Sequence, residues 1–91
     1  MNNILFVREG CRPCMYVETQ LKKCEGWEEA VTISQAEVDG VWTEEATMYG
    51  VDSTPTLVGT DEYGVLLGKI SGADNMTRDF WKQVISRHKQ S

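Results

Sequence analysis

Two cysteines separated by two residues, Cys11 and Cys14, are the feature that most constrains this chain. They come shortly after the apolar run at residues 4–7, which is typical of a buried β-strand. A helical stripe follows them, with Val17 and Leu21 three and seven positions beyond Cys14. The pair is therefore predicted to lie where a strand ends and a helix begins. Unpaired backbone N–H groups and the helix dipole favour negative charge there, and the thiolate is the reactive form of cysteine.

The spacing of the two thiols suits a reversible disulfide. Residues i and i+3 of a helical turn lie about 5–6 Å apart, and a disulfide accepts Cα separations of roughly 4.4–6.8 Å. Pro13 suits the first helical turn, where its missing N–H would have no intrahelical partner. Arg8 and Arg12 add positive charge, which we expect to lower the thiol pKa. We predict that Cys11, nearer the helix start, is the nucleophile and that Cys14, on the apolar face, is the resolving thiol.

Two other roles for the cysteine pair stay open. Half of a zinc site would need further Cys or His ligands, and the sequence offers only Cys24 and His88. Cys24 is ten residues beyond Cys14, which is about 15 Å along one helix, so it could join the site only if the helix breaks. A purely structural disulfide is the second role. Redox chemistry is the favoured interpretation, and Cys24 is predicted to pack in the core.

Length and composition bound the class of protein. The 91 residues predict a single domain spanning residues 1–91, large enough to bury a core without disulfides. Three cysteines do not make a disulfide framework. The net charge of −5 argues against a nucleic-acid partner. The apolar run near the N-terminus is too short for a signal peptide or a membrane span. We therefore expect a cytoplasmic monomer with no nucleic-acid or membrane partner.

Periodicity and turn signals predict the element order β-α-β-α-β-β-α. The predicted bounds are 3–8, 12–24 with Gly26 just beyond, 30–34, 43–49, 56–58, 65–70 and a last helix from about 74. Residues 35–40 are predicted to be a polar connection, and Gly64 is predicted to sit in the turn of a hairpin. This order requires an α/β fold in which a four-stranded mixed sheet carries helices on both faces.

Three separated segments resemble proteins with the thioredoxin fold in its minimal, glutaredoxin-sized form. Residues 6–14, in which Arg8 precedes the first cysteine by three positions, are similar to the start of glutaredoxins. Residues 49–58 resemble the segment that carries a cis-proline in this family. Residues 68–75 are similar to the glycine turn and acidic pair that close the glutathione site. The resemblance covers nearly the whole chain and implies a thioredoxin-like fold.

The resemblance also implies an activity, that of a dithiol–disulfide oxidoreductase with Cys11 and Cys14 as catalytic residues. It implies that the peptide bond before Pro55 is cis and that Thr54 offers its backbone to a peptide or to glutathione. Taken alone, this segment would favour a trans proline at the start of an ordinary strand, and the presence of the cysteine pair shifts the preference to cis. The substrate- or glutathione-binding residues implied are Arg8, Arg12, Pro13, Thr54, Pro55, Asp74 and Asn75.

The same resemblance implies which molecules the protein meets. We expect no metal and no bound prosthetic group, with glutathione as co-substrate. The expected partners are a disulfide-containing protein substrate and a reductant, either glutathione or a thioredoxin reductase.

Several positions depart from both parent families. Pro13 occupies the third position of the motif as in thioredoxins, but Gly10 replaces their tryptophan and Leu5 their buried acid. Ser71 replaces one glycine of the glutaredoxin pair, and Asn75 replaces the second acid. The chain is thus similar to small redoxins that serve ribonucleotide reductase, including viral ones.

Two different functions also stay open. One is a redox-inert module that docks a partner beside Pro55. The other is a metal site that joins two chains through Cys11 and Cys14 of each.

Overall fold

The computed structural model describes residues 2–90. The strands are β1 (Asn2–Val7), β2 (Val31–Gln35), β3 (Glu37–Val38), β4 (Val41–Trp42), β5 (Thr56–Thr60) and β6 (Leu66–Ser71). The helices are α1 (Arg12–Lys22), α2 (Trp27–Ala30), α3 (Glu44–Met48) and α4 (Arg78–Gln90), with a 3-10 turn at Ala73–Asn75. The predicted element order is confirmed, with α2 and the β3–β4 hairpin added to it. No helix in this part of the chain is both long and apolar enough to cross a membrane.

Four strands form one mixed sheet in the order β2-β1-β5-β6. Strand β1 runs parallel to β2 and antiparallel to β5, and β5 runs antiparallel to β6. Strand β1 is an inner strand with both faces covered, which explains why its sequence is a short continuous apolar run. Leu5 lies opposite Leu57, and Ile4 lies opposite Val58. Since side chains alternate along a strand, these two pairs point to opposite faces of the sheet.

Helices cover both faces of the sheet, as predicted. On one face, α1 and α4 enclose a core that contains Leu5, Leu57 and the fully buried Trp81. On the other face, α3 covers a smaller core that contains Phe6 and Val58. Strands β1 and β5 lie between the two cores. The carboxyl end of β1 and the amino end of β5 lie at the same edge of the sheet, which is the edge where the cysteines follow β1. The sheet therefore holds the start of α1 and the start of β5 side by side.

Three local predictions were wrong. Helix α1 ends at Lys22, and Gly26, which has the expected left-handed conformation, precedes α2 instead of closing α1. Helix α4 begins at Arg78 and not near Asp74, because a 3-10 turn occupies 73–75. Thr77 then accepts a hydrogen bond from the backbone N–H of Phe80 at 3.2 Å, which satisfies a free donor of the first turn. The polar connection at 35–40 contains strand β3.

The hairpin between β5 and β6 forms as predicted. Strand β5 extends two residues beyond its predicted end, and β6 has its predicted length but is shifted by one residue. Asp61 Oδ1 accepts hydrogen bonds from the backbone N–H groups of Tyr63 and Val65, at 2.8 and 2.9 Å. Gly64 has φ +83°, the left-handed conformation that glycine adopts without a steric penalty. The turn thereby fixes the register that brings Ser71 opposite Thr56, next to the candidate site.

Candidate active site

Cys11 and Cys14 are joined by a disulfide at the start of α1. Cys11 is the N-cap residue of the helix, and Cys14 lies within its first turn. Their Cα atoms are 5.2 Å apart, inside the range that the spacing predicted. Pro13 lies in the first turn, where it displaces no intrahelical hydrogen bond. The strand-to-helix junction thus presents two sulfurs that can be joined or separated with little movement of the backbone.

The sulfur of Cys11 receives two hydrogen bonds. The backbone N–H of Cys14 donates to Cys11 Sγ at 3.3 Å, and the hydroxyl of Thr54 donates to the same atom at 3.5 Å. Cys11 keeps 8% of its surface exposed, whereas Cys14 keeps 1%. The same two donors would stabilise a negative charge on Cys11 Sγ once the bridge is opened. Cys11 is therefore the sulfur better suited to meet a partner and to exist as a thiolate.

Thr54 and Pro55 form the wall opposite the bridge. The peptide bond between them is cis, as the resemblance implied. The carbonyl oxygen of Thr54 lies 3.9 Å from Cys11 Sγ, and Pro55 is fully buried. The backbone N–H of Gly72 donates to the carbonyl of Pro55 at 3.0 Å. This bond holds the turn that begins at Gly72 beside the proline.

The other predicted binding residues are all exposed. Arg8 forms an ion pair with Glu37, with Nη1 3.8 Å from Oε2. Arg12 and Pro13 are exposed on the first turn of α1. Asp74 is exposed, and the side-chain amide of Asn75 donates to the carbonyl of Ser71 at 3.0 Å. Among the predicted site residues, Cys11 and Cys14 are joined by the disulfide, and Thr54 contacts Cys11 Sγ. Pro55 follows Thr54 through the cis peptide bond.

The third cysteine lies apart from the bridge. Cys24 follows the other end of α1, is 6% exposed and packs in the larger core, which confirms the prediction of a packing role. Its Sγ donates to the carbonyl of Gln20 at 3.5 Å. Among residues 2–90, no group of three or more Cys, His, Asp or Glu side chains is arranged to hold a metal ion.

Two features of the site were missed by sequence reasoning. Thr54 was assigned a backbone role only, whereas its hydroxyl donates to the nucleophile candidate. A threonine before the proline of such a segment is the signal that could have suggested this bond. The β3–β4 hairpin beside Arg8 was also missed, although Asp39-Gly40 between two valines is a recognised turn sequence.

Comparison with known proteins identifies the architecture. No family model and no curated protein matches the sequence. A mutant thioredoxin from Halobacterium salinarum NRC-1 matches with a TM-score of 0.67 and 24% identity, over 93% of this chain and 71% of that one. Mitochondrial thioredoxin 3 from Saccharomyces cerevisiae matches with a TM-score of 0.63 and 29% identity, over 93% and 76%. This chain has the thioredoxin fold.

A disulphide isomerase from Xylella fastidiosa has the same thioredoxin fold, with a TM-score of 0.67 and 15% identity over 97% of this chain and 77% of that one. The prediction of a thioredoxin-like α/β fold is therefore confirmed. Within that fold, this chain carries a bonded Cys-x-x-Cys pair at the start of α1. Fold and disulfide together point to thiol–disulfide chemistry.

Proposed function

We propose that this protein is a dithiol–disulfide oxidoreductase that passes electron pairs through Cys11 and Cys14. The observation that carries the proposal is the bridge at the start of α1, in which Cys11 Sγ accepts hydrogen bonds from the Cys14 N–H and the Thr54 hydroxyl. Thioredoxins and a disulphide isomerase among the structural matches support it. The alternative of a redox-inert module is less well supported, because the Cys14 N–H bond also caps α1 but the bond from the Thr54 hydroxyl then has no role.

The proposed reaction consists of two thiol–disulfide exchanges. In the reduced protein, the Cys11 thiolate attacks one sulfur of a substrate disulfide, forms a mixed disulfide and releases the other substrate sulfur as a thiolate. The Cys14 thiolate then attacks Cys11 Sγ, which releases the second substrate sulfur and forms the Cys11–Cys14 bridge. Two electrons pass to the substrate, and a reductant must later return two to the bridge. The Cα separation of 5.2 Å lets Cys14 reach Cys11 without unfolding α1.

Thr54 and Pro55 are proposed to orient the substrate chain. An extended segment lying beside them can pair with the backbone of Thr54, as in strand addition. The carbonyl oxygen of Thr54 lies 3.9 Å from Cys11 Sγ, so a segment bound there would bring its own sulfur close to the nucleophile. A disulfide-containing protein is therefore the proposed substrate, and ribonucleotide reductase is one acceptor suggested by the resemblance. The proposal requires only a monomer, acting in the cytoplasm, without a bound cofactor.

Glutathione is the proposed co-substrate that returns electrons. Its carboxylates would be bound by Arg8 and Arg12, and its amino end by Asp74 and Asn75. The bond from Gly72 to Pro55 supports this assignment, because it ties the segment before Asp74 to the wall of the site. Arg8 would have to exchange Glu37 for the ligand. That exchange costs little, since exposed ion pairs contribute about 0–1 kcal/mol.

The pH dependence of alkylation tests the proposed thiolate. In the reduced protein, we expect the pKa of Cys11 to lie below the ordinary thiol value of about 8.5. Thr54→Val removes one donor to Cys11 Sγ while keeping a branched side chain. Because a hydrogen bond to a charged group contributes about 1.5–3 kcal/mol, the variant should raise that pKa and slow alkylation near pH 7 about tenfold. Alkylation rates measured with iodoacetamide over a range of pH give both the pKa of Cys11 and its rate near pH 7. Peptide mapping identifies Cys11 as the alkylated residue.

Thr19→Val is the matched control for this titration. Thr19→Val changes an exposed threonine on α1 whose hydroxyl donates to the carbonyl of Met15 and not to the bridge. This control should leave the Cys11 profile unchanged. Above the pKa of both proteins, Thr54→Val and wild type should react at similar rates. A wild-type Cys11 that titrates like a free thiol would support the redox-inert module instead.

A further inference from the structure

The proposed reaction does not use the β3–β4 hairpin, residues 37–42. Its two-residue turn consists of Asp39 and Gly40, with φ +52° and +81°. Positive φ at both central positions is the type I′ geometry, which matches the twist of the flanking strands. Asp-Gly is among the sequences that adopt it most readily. The sequence of the turn thus favours this hairpin.

The two faces of this hairpin have different surroundings. Glu37 and Trp42 are paired in the register, so their side chains share one face. That face lies against the domain, because Glu37 pairs with Arg8 and Trp42 packs against the smaller core. Val38 and Val41 are paired on the other face and are 55% and 68% exposed. The hairpin therefore presents two apolar side chains, side by side, to the solvent.

The hairpin is joined to the segment that leads into the bridge. The backbone N–H of Ala36, which directly precedes it, donates to the carbonyl of Val7 at 2.7 Å, and Glu37 contacts Arg8. Three peptide units from Arg8 to Cys11 span at most about 11 Å. A protein partner covers about 800 Å² of surface, equivalent to a disc about 32 Å across. A partner centred on Cys11 Sγ, where its disulfide must be, would therefore extend over Arg8, to which the hairpin is joined through Glu37.

We propose that Val38 and Val41 form a docking element that selects protein substrates carrying exposed apolar side chains beside their disulfide. The inference rests on the proposed oxidoreductase function and adds a substrate class to it. Its occupant is a disulfide-containing protein, since the valines are exposed on a hairpin joined to Arg8, three residues before Cys11, and a small disulfide can meet Cys11 without covering them. Burying apolar surface against the partner stabilises the encounter complex before exchange begins.

The test replaces both valines by threonine in the full chain. Threonine keeps the β-branched shape that strands favour, so the hairpin should persist while its apolar surface is lost. We expect Val38→Thr combined with Val41→Thr to lower the second-order rate constant for insulin reduction by the reduced protein about tenfold. The rate constant with the small reagent dithiobis(nitrobenzoate) should stay within a factor of two. Val65→Thr, at a valine that is 58% exposed on the β5–β6 hairpin, is the matched control and should change neither rate.

Each contrary outcome overturns a stated part of the inference. Unchanged insulin reduction by the double variant, or an equal fall with Val65→Thr, would refute the docking role. An equal fall with the small reagent would place the effect at the bridge and refute it as well. A wild-type protein that reduces neither insulin nor the small reagent would remove the proposed function and the docking role together. Only a fall confined to insulin and to the double variant supports the inference.

Discussion

Replacing Cys11 by serine is expected to abolish disulfide reduction, with a loss of at least about a thousandfold for both insulin and dithiobis(nitrobenzoate). A serine hydroxyl stays protonated at neutral pH and cannot form the mixed disulfide that carries the electrons. The change is conservative in size, and serine is a favoured N-cap residue, so α1 should keep its start. Stopped-flow measurement with the reduced variant gives the loss directly.

Cys24→Ser is the matched control for this prediction. Cys24 is buried beyond the far end of α1, and a serine hydroxyl can keep the hydrogen bond to the carbonyl of Gln20. This variant should retain wild-type rates within about a factor of two, apart from any loss of folded protein. Substantial activity in Cys11→Ser, or a comparable loss in Cys24→Ser, would remove Cys11 from the role of nucleophile.

The largest expected effect on stability comes from Trp81. This side chain of α4 is fully buried in the larger core and meets the ring of Phe80 edge-to-face, with centroids 5.1 Å apart. Trp81→Ala should reduce the free energy of unfolding by about 3–5 kcal/mol, because it removes a large apolar side chain and leaves a cavity. The entire free energy of unfolding of a small domain is only about 5–15 kcal/mol. Urea denaturation followed by far-ultraviolet circular dichroism measures the change.

Met48→Ala supplies the comparison for Trp81→Ala. Met48 is 67% exposed on α3, so its loss should change the free energy of unfolding by less than about 0.5 kcal/mol. Cys14 belongs to the same buried core as Trp81. Trp81→Ala should therefore also loosen the packing at the start of α1. A cost below about 1 kcal/mol for Trp81→Ala would contradict the close packing of this side chain in the larger core.

The sequence predicted those parts of the fold whose pattern is local. The apolar run at 4–7 gave β1, and Thr43 followed by two acidic residues gave α3, whose N-cap hydroxyl accepts from Ala46 N–H at 3.2 Å. The start of α4 could not be placed, because Met76 is fully buried while its backbone leaves the helical region. An apolar residue at helical spacing is compatible with both arrangements, and packing against α1 decides between them.

The chemical centre was predictable to a similar extent. Cys11 and Cys14 were predicted from spacing and their place after β1, and the disulfide confirms that they can be joined. The hydroxyl of Thr54 could not be placed, since 43 residues separate it from the sulfur to which it donates. Contacts of that range depend on how β1 and β5 pair, which local patterns do not encode. The roles of Arg8, Arg12, Asp74 and Asn75 stay predictions.

The most direct test of the two-cysteine mechanism is a trapping experiment with Cys14→Ser. The reduced variant keeps the nucleophile but lacks the thiol that displaces the product, so mixing it with oxidised glutathione or insulin should leave a stable mixed disulfide. Mass spectrometry of the intact protein, followed by peptide mapping under non-reducing conditions, should locate the adduct on Cys11, whereas wild type should return to the Cys11–Cys14 bridge without one. Absence of an adduct, or an adduct on Cys24 alone, would contradict attack by Cys11 and resolution by Cys14.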